Sequence, residues 1–583
     1  MLSMRIVTAI TAAFIFLVSL IVADQALAAD SRPQLQISSD QPALTRNLEV
    51  MLSVGNESCH ASDDRKRLVR RNLLKQAERA ARAVGYYRPV INLRTDTADN
   101  CWSITIDAEA GEPVRLNNVN IRLQGDAESD PAFAELIQRS PLKKGAILRH
   151  NEYQSLRDGL LQLASERGYF DHQLLEHRLE VDPAMLTADI ILTIDSGRRY
   201  RFGEFRLKQN VLSDSMAMRY LRFESGQPWD SEQLLASQQA LLGSGYFSTV
   251  RLERGKTDTD TGKVPATLYL TERPQHAWMT GVGVSTDTGP RLRLGYENRY
   301  VNRHGHRWRT DSRISALNRA ITSSYEIPFR DPVQDRLMFS SGYQYENNES
   351  AESEQFRLGG RLISGFLNGW VLTRSLDYER ENFTVADQTE TSELVMPGVQ
   401  IQKIRSSHPV YPRRGWKLGA GFRGTHPSIS TTEAFIQSRL WMKGITATGP
   451  ARILARLEAG HTNVTDVTSL PATVRFFTGG DNSIRGFDYQ TLGPVDTAGA
   501  VTGGRSLLVG SIEADFALSK HWHPAVFIDA GNAFNDFNAP NLRTSAGMGI
   551  RWRSPLGPIR IDLARPIDAD RNWRLHLSMG PDL

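Results

Sequence analysis

Two rhythms of apolar and polar residues divide the chain. From Gln275 onward the residues alternate with a period of two, in runs of about ten separated by turns rich in Gly, Pro, Asn and Asp, the pattern of strands with one face in lipid and the other in water. Leu292, Leu294 and Tyr296 oppose Arg291, Arg293 and Glu297. Ile453, Ala455, Leu457 and Ala459 oppose Arg452, Arg456 and Glu458. Ile559, Ile561 and Leu563 oppose Arg560 and Asp562, and Leu575, Leu577 and Met579 oppose Arg574, His576 and Ser578. A soluble sandwich also alternates, but arginine on the opposing face in strand after strand describes a water-filled lumen. Residues 275–583 have room for about sixteen such strands, which predicts a transmembrane antiparallel β-barrel.

Before residue 275, helical patterns take over and one landmark repeats. Gly85-Tyr86-Tyr87, Gly168-Tyr169-Phe170 and Gly245-Tyr246-Phe247 recur roughly 80 residues apart. Each follows a helix (63–84, 153–167 and 231–243) and precedes two strands, while Gly111 and Gly197 introduce the strands at 119–123 and 205–207. The glycine suits the position just past a helix, and the aromatic then packs that helix onto a small sheet. The chain thus reads as three α+β modules of β-α-α-β-β order, at 31–112, 113–197 and 198–274, followed by the barrel at 275–583. These modules resemble the polypeptide-transport-associated (POTRA) family. Their open sheet edges suit either a rigid spacer or a surface that binds an extended client by strand addition. The first module's helix starts at Ser62 and carries a run of lysines and arginines from Arg65 to Arg82, which serves as a solvated face or as a dock for an acidic partner or anionic lipid.

Charge is nearly balanced, with 69 basic against 65 acidic residues. That argues against nucleic acid as the main ligand. Arg5, the apolar stretch Ile6 to Val22 and Ala26-Leu27-Ala28 predict a signal peptide over 1–28 and a mature chain outside the cytoplasm. No later apolar run approaches the ~20 residues of a spanning helix. Two cysteines, Cys59 and Cys101, lie near the start of the mature chain. They are a disulfide pair or two buried thiols, and an oxidising compartment favours the pair.

The longest interval between predicted strands, Asn463 to Arg505, contains Gly479-Gly480-Asp-Asn-Ser-Ile484-Arg485-Gly486-Phe487. Paired glycines permit positive φ and close backbone approach. An arginine between Ile484 and Gly486, with Phe487 behind it, reads as a buried guanidinium that needs carboxylates. Alternation along the next two strands turns Glu513 and Asp529 inward, while Ile512, Ala514, Phe516, Val526 and Ile528 face lipid. Those two carboxylates are the expected partners of Arg485, with the loop pinned inside the barrel. Closure of the barrel requires pairing of the first strand (276–287) with the last (572–583). Gly281 and Gly283 remove side chains from one, and Met579-Gly580-Pro581 ends the other with a residue that lacks a ladder donor. The seam is expected to be weak and to form a lateral gate; the alternative is an ordinary barrel with a glycine-rich first strand.

The loop motif Ile484-Arg-Gly-Phe487 after Gly479-Gly480, the strand Phe527-Ile-Asp-Ala-Gly531 and the segment Ser554-Pro-Leu-Gly-Pro-Ile-Arg-Ile-Asp562 together resemble the BAM-type outer-membrane assembly superfamily. The likeness extends over essentially the whole mature chain. It implies a barrel in the bacterial outer membrane with the modules in the periplasm, and Arg485 resting on Glu513 and Asp529. It also implies a role in assembling or translocating unfolded client outer-membrane proteins such as autotransporters, a TamB-like partner anchored in the inner membrane that meets the first module, and no cofactor. The chain departs from many outer-membrane barrels in ending at Leu583 rather than at an aromatic residue. Enzymatic readings lack support: there is no H-E-x-x-H, P-loop, G-x-S-x-G or C-x-x-C, and the pairs His304/His306 and His521/His523 lack a third metal ligand. The alternatives are a two-partner-secretion pore, which typically has two modules, the central BAM-type protein, which usually has five, and a passive porin, which needs none.

Overall fold

The computed structural model describes residues 33–583 apart from 56, 99–100, 555–556, 569–571, 581 and 583. The expected signal peptide, the seam residue Pro581 and Leu583 lie outside the described residues.

The first module comprises β1 (Gln34–Ser39), α1 (Pro42–Met51), α2 (Asp63–Ala83), β2 (Val90–Ala98) and β3 (Cys101–Glu109). Central β3 pairs parallel to β1 and antiparallel to β2. It alternates strictly, so that Trp102, Ile104, Ile106 and Ala108 are buried with Leu44, Leu48, Leu73 and Ala77 of the two helices. The Ser62 side chain caps α2 by accepting the Arg65 N–H. Cys59 and Cys101 are disulfide-bonded and tie the segment before α2 to the start of β3.

The second module repeats this order in β4 (Arg115–Gln124), α3 (Pro131–Arg139), α4 (His150–Glu166), β5 (Gln173–Asp182) and β6 (Thr187–Asp195), with sheet order β4-β6-β5. The third uses β7 (Arg201–Lys208), α5 (Asp214–Met218), α6 (Ser231–Gly243), β8 (Phe247–Arg254) and β9 (Lys263–Glu272), with order β7-β9-β8. Gly85, Gly168 and Gly245 all have positive φ, and the tyrosine after each is buried. At Gly85 a Cβ would stand 2.6 Å from the Leu148 carbonyl oxygen, so the turn needs glycine for space as well as for φ.

The barrel begins with β10 (His276–Ser285), β11 (Gly289–Asn298), β12 (Arg307–Ser315), β13 (Asn318–Pro328) and β14 (Arg336–Asn347). It continues through β15 (Ala351–Phe366), β16 (Trp370–Val385), β17 (Gln388–Ser406), β18 (Gly415–Thr425), β19 (Phe435–Thr448) and β20 (Ala451–Asn463). After the long loop come β21 (Ser506–Phe516), β22 (Trp522–Phe534), β23 (Arg543–Ser554), β24 (Gly557–Pro566) and β25 (Arg574–Met579). The 16 strands form one antiparallel sheet in sequence order, with β10 and β25 at its two ends. Large apolar side chains are exposed all the way round, among them Ile321, Phe356, Phe422, Ile453, Met548 and Leu575, as a wall in contact with lipid requires. No helix among the described residues is long and apolar enough to cross a membrane. The wall is uneven: β17 has 19 residues, β10 has 10 and β25 only 6, fewer than the ~9–11 residues a tilted spanning strand needs.

Side chains of the third module reach the turns between barrel strands. The Arg222 guanidinium pairs with Asp331 at 3.0 Å, and the Tyr246 hydroxyl donates to the Gly305 carbonyl at 2.5 Å.

Candidate functional site

Residues 464–505 join β20 to β21, and their apolar side chains anchor the loop against the barrel strands. Ile484 and Phe487 are buried with Phe476, Leu492, Leu507, Val509 and Ala533. Gly479, Gly480 and Gly486 have φ of 105°, 100° and 93°. A Cβ at Gly479 would lie 2.3 Å from the Asp488 carbonyl oxygen, and one at Gly486 would lie 3.2 Å from Pro566 Cδ. This chain path is closed to other residues at Gly479 and strained for them at Gly486.

Between these glycines Arg485 enters a cage of carboxylates. Its Nε and Nη2 donate to the two oxygens of Asp529 at 2.7 and 2.8 Å, and its own backbone N–H reaches Asp529 Oδ2 at 3.1 Å. Nη1 donates to Glu513 Oε2 at 2.9 Å and to Asp562 Oδ2 at 3.0 Å. Arg551, also buried, spans the same two carboxylates from below, with Nε 2.8 Å from Glu513 Oε1 and Nη1 2.5 Å from Asp562 Oδ1. The guanidinium carbon of Arg485 lies 3.3 Å from the centroid of the Phe527 ring. Burial works against the charge of Arg485, but the hydrogen bond to Asp529 and the charges of Asp529, Glu513 and Asp562 hold its proton more tightly than in an ordinary guanidinium. Every donor of the fork meets an acceptor in a site shielded from water, the condition under which such pairs are strong.

The loop also reaches both edges of the sheet. The Asp481 carboxylate accepts hydrogen bonds from Ser285 Oγ (2.7 Å) and Thr286 Oγ1 (2.8 Å) at the end of β10, and lies 2.6 Å from His576 Nδ1 on β25. Asp481 N–H donates to Asp287 Oδ2 at 2.7 Å. Gly486 N–H donates to His576 Nε2 at 2.7 Å, so the ring proton sits on Nδ1, facing Asp481. Asp287, Asp481 and His576 stand close enough together to hold a cation on position alone, but that tautomer leaves no imidazole lone pair for a metal. The group holds protons, and it bridges first strand, loop and last strand.

Direct pairing across the seam is slight. Among the described residues one backbone bond joins the two end strands, from Thr286 N–H to the Leu577 carbonyl at 3.3 Å, supported by Leu577 N–H to Thr286 Oγ1 at 3.2 Å. A strand was expected over 572–583, but β25 stops at Met579. Beyond Gly580 the Asp582 carboxylate turns inward, 2.7 Å from Arg452 Nη1 and paired also with Arg560. Two arginines in a lumen attract a terminal carboxylate more strongly than lipid-facing ladder positions do. Below Thr286 the edge of β10 has no backbone partner among the described residues, and Val282 is 82 % exposed. A Cβ at Gly281 or Gly283 would make only ordinary contacts with Arg293 and Arg291, so these glycines are not forced by crowding.

Burial and then the charge of Asp481 push the Asp287 carboxyl up to about 7. An acid raised in the folded state contributes stability that is complete below its ordinary value, near 3.8, and lost as pH rises through about 7. The bridge should therefore loosen between pH 5 and 8, roughly the span over which that carboxyl ionises. In Asp287→Asn, which keeps an acceptor for Asp481 N–H without the charge, the loosening should disappear. Hydrogen exchange at the Leu577 amide, compared with a β15 amide across that range, checks this. Equal slopes in both proteins would refute it.

Sequence reading did not find Arg551, Asp562, Asp287, Asp481 or His576 as parts of one site. The alternation that points Glu513 and Asp529 inward does the same for Arg551, between exposed Ile550 and Trp552, and for Asp562, between exposed Ile561 and Leu563. It also turns His576 inward, between Leu575 and Leu577, but nothing in the sequence joins it to Asp287 and Asp481, which lie outside the regular strands and meet it only through the fold.

The fold has counterparts in known proteins. Residues 241–582 match the family described as "Omp85 superfamily domain". Residues 34–110 match "POTRA domain TamA domain 1" and 200–273 match "Surface antigen variable number repeat", a POTRA family. The chain is 24% identical over 416 residues to the chloroplastic outer envelope protein 80 of Arabidopsis thaliana, covering 63% of this chain and 54% of that protein. It is 21% identical over 547 residues to the outer membrane protein assembly factor BamA of Neisseria meningitidis serogroup B, covering 82% and 67%. It thus spans only about half to two thirds of the length of these relatives. The crystal structure of Haemophilus ducreyi BamA lacking POTRA domains 1–3 superposes with a TM-score of 0.65 at 18% identity, covering 80% of this chain and 99% of that one. The chain belongs to the Omp85 superfamily and is an outer-membrane β-barrel preceded by periplasmic POTRA domains.

Proposed function

We propose that this protein is an outer-membrane assembly and translocation factor. It passes client β-barrel proteins, autotransporters among them, into or across the bilayer through the seam between β10 and β25. The finer reading is a TamA-like protein, the outer-membrane subunit of the translocation and assembly module. The match of residues 34–110 to a TamA first POTRA domain supports this, as does the division into modules at 31–112, 113–197 and 198–274. In this reading the first module meets a TamB-like partner anchored in the inner membrane.

The observation that carries the proposal is the bare edge of β10 beside a last strand of only 6 residues. An unpaired backbone edge facing hydrocarbon is unfavourable, and a client strand that pairs with it satisfies N–H and C=O groups on both sides. Backbone satisfaction and transfer of apolar side chains into lipid drive the process, and no nucleotide or covalent chemistry is required. A photo-crosslinking residue in place of Val282, on the bare edge, should capture nascent client. The same residue in place of Ile321, which faces lipid on the fully paired β13, should not. Equal capture at both positions would reduce the seam to one stretch of lipid-facing wall among many.

A further inference from the structure

The lumen holds a cavity of about 1030 Å³. On its wall the pairing register sets Lys417 of β18 opposite Lys443 of β19, and Lys443 opposite Arg456 of β20. All three line the cavity, and alternation along the strands sets them on the face opposite to the exposed Trp416, Met442 and Leu457. Directly opposed side chains stand about 5 Å apart at Cβ, and like charges so placed repel. A row of three cations across adjacent strands is therefore unfavourable unless an anion covers it.

The surrounding carboxylates are already engaged. Glu458 pairs with Arg439, Asp377 with Arg361, and Asp582 with Arg452 and Arg560. Arg456 directs its guanidinium to the Asn482 and Ser483 carbonyls, which are neutral. Lys417 and Lys443 have neither an ion pair nor a hydrogen bond among the described residues.

We infer that the row Lys417–Lys443–Arg456 is a binding site for a phosphate-type oxyanion, free or carried on a head group, inside the barrel. A carboxylate brings one charge and a planar pair of oxygens suited to a single guanidinium. Three cations in line fit a compact group with two or more charges and oxygens pointing several ways, to which the two lysines bind as point charges, while Arg456, its Nη groups already donating to the Asn482 and Ser483 carbonyls, adds its positive charge. Room for such a group is ample, and Gln400 and Gln402 of the adjacent β17 supply further donors to the same space. This inference does not rest on the passage of clients through the seam.

The test uses the full chain in detergent micelles, titrated calorimetrically with pyrophosphate at low salt. Saturable binding is expected, weakened by about tenfold or more in Lys417→Gln/Lys443→Gln, a loss of at least ~1.4 kcal/mol. Lys417→Arg/Lys443→Arg should retain it. A second readout covers folding: without anion, Lys443→Gln should withstand more heat than the parent because a repulsion is gone, while pyrophosphate should stabilise only the parent. Displacement of pyrophosphate by short-chain phosphatidylglycerol would assign the site to a head group, and displacement by inorganic phosphate alone to the free ion. Absence of pyrophosphate binding, binding unchanged in the double glutamine variant, or binding of polyglutamate without pyrophosphate would overturn the inference.

Discussion

A disulfide across the seam, introduced at Val284 and Met579, should abolish client insertion, and reduction should restore it. The register set by the Thr286–Leu577 bond, extended two residues in the antiparallel sense, places Met579 across from Val284. Hydrogen-bonded antiparallel partners have Cα atoms about 5.5 Å apart, inside the range a disulfide spans. Both side chains are exposed on the outer face and take no part in the Asp481 bridge, so the lock leaves the loop undisturbed. Opening the unlocked seam breaks one backbone bond and a handful of side-chain hydrogen bonds, each contributing roughly 0.5–1.5 kcal/mol. Thermal opening is thus within reach here. It is not at β15–β16, where the paired register runs the full 16 residues of each strand. The single cysteine variants should behave as the parent does. Undiminished insertion by the oxidised double variant would mean that clients do not pass between β10 and β25.

The alternation of apolar and polar residues made the barrel legible, because a lipid-facing wall forces period two on every strand whatever its partners. The modules were legible for a different reason: each needs glycine where its helix meets the sheet, and Gly85, Gly168 and Gly245 mark the three junctions. The candidate site was readable only where one strand's parity sufficed. Parity turns Glu513 and Asp529 inward, and both lie against Arg485. Asp562 obeys the same rule but lies 77 residues from Arg485 in sequence. Proximity along the chain led to Glu513 and Asp529 but not to Asp562, because closure of the sheet brings β23 and β24 against the loop as well. Asp481 follows two glycines and reads locally as a turn former. Its partners Ser285 and His576 lie 196 and 95 residues away, and only closure of the sheet brings them together. The last strand ended early because two lumenal arginines act on Asp582 from other strands, a force with no trace in the local pattern.

Arg485→Gln should release the loop and, through it, the seam. The substitution removes the cation from between Asp529, Glu513 and Asp562 and leaves Arg551 alone to offset them. Breaking a buried pair in this way costs about 3–5 kcal/mol, because the abandoned charge stays buried. Arg485→Lys keeps the charge but loses the fork that reaches three carboxylates at once, so it should fall between the two. Adding Asp529→Asn to Arg485→Gln should recover part of the loss, and the double-mutant cycle measures the coupling. Loop release is read from new protease cleavage between 479 and 490 in the folded barrel. Its consequence for the seam is separately measurable, since Asp481 and Gly486 fasten β10 and β25 through the same loop. Oxidation of the Val284/Met579 cysteine pair should therefore become slower and less complete in the Arg485→Gln background, as the two edges lose their common tether. A loop that stays protected in Arg485→Gln, with the cysteine pair still closing at the parent rate, would mean that the apolar cluster around Ile484 and Phe487 holds it unaided and that the carboxylate cage does not control the seam.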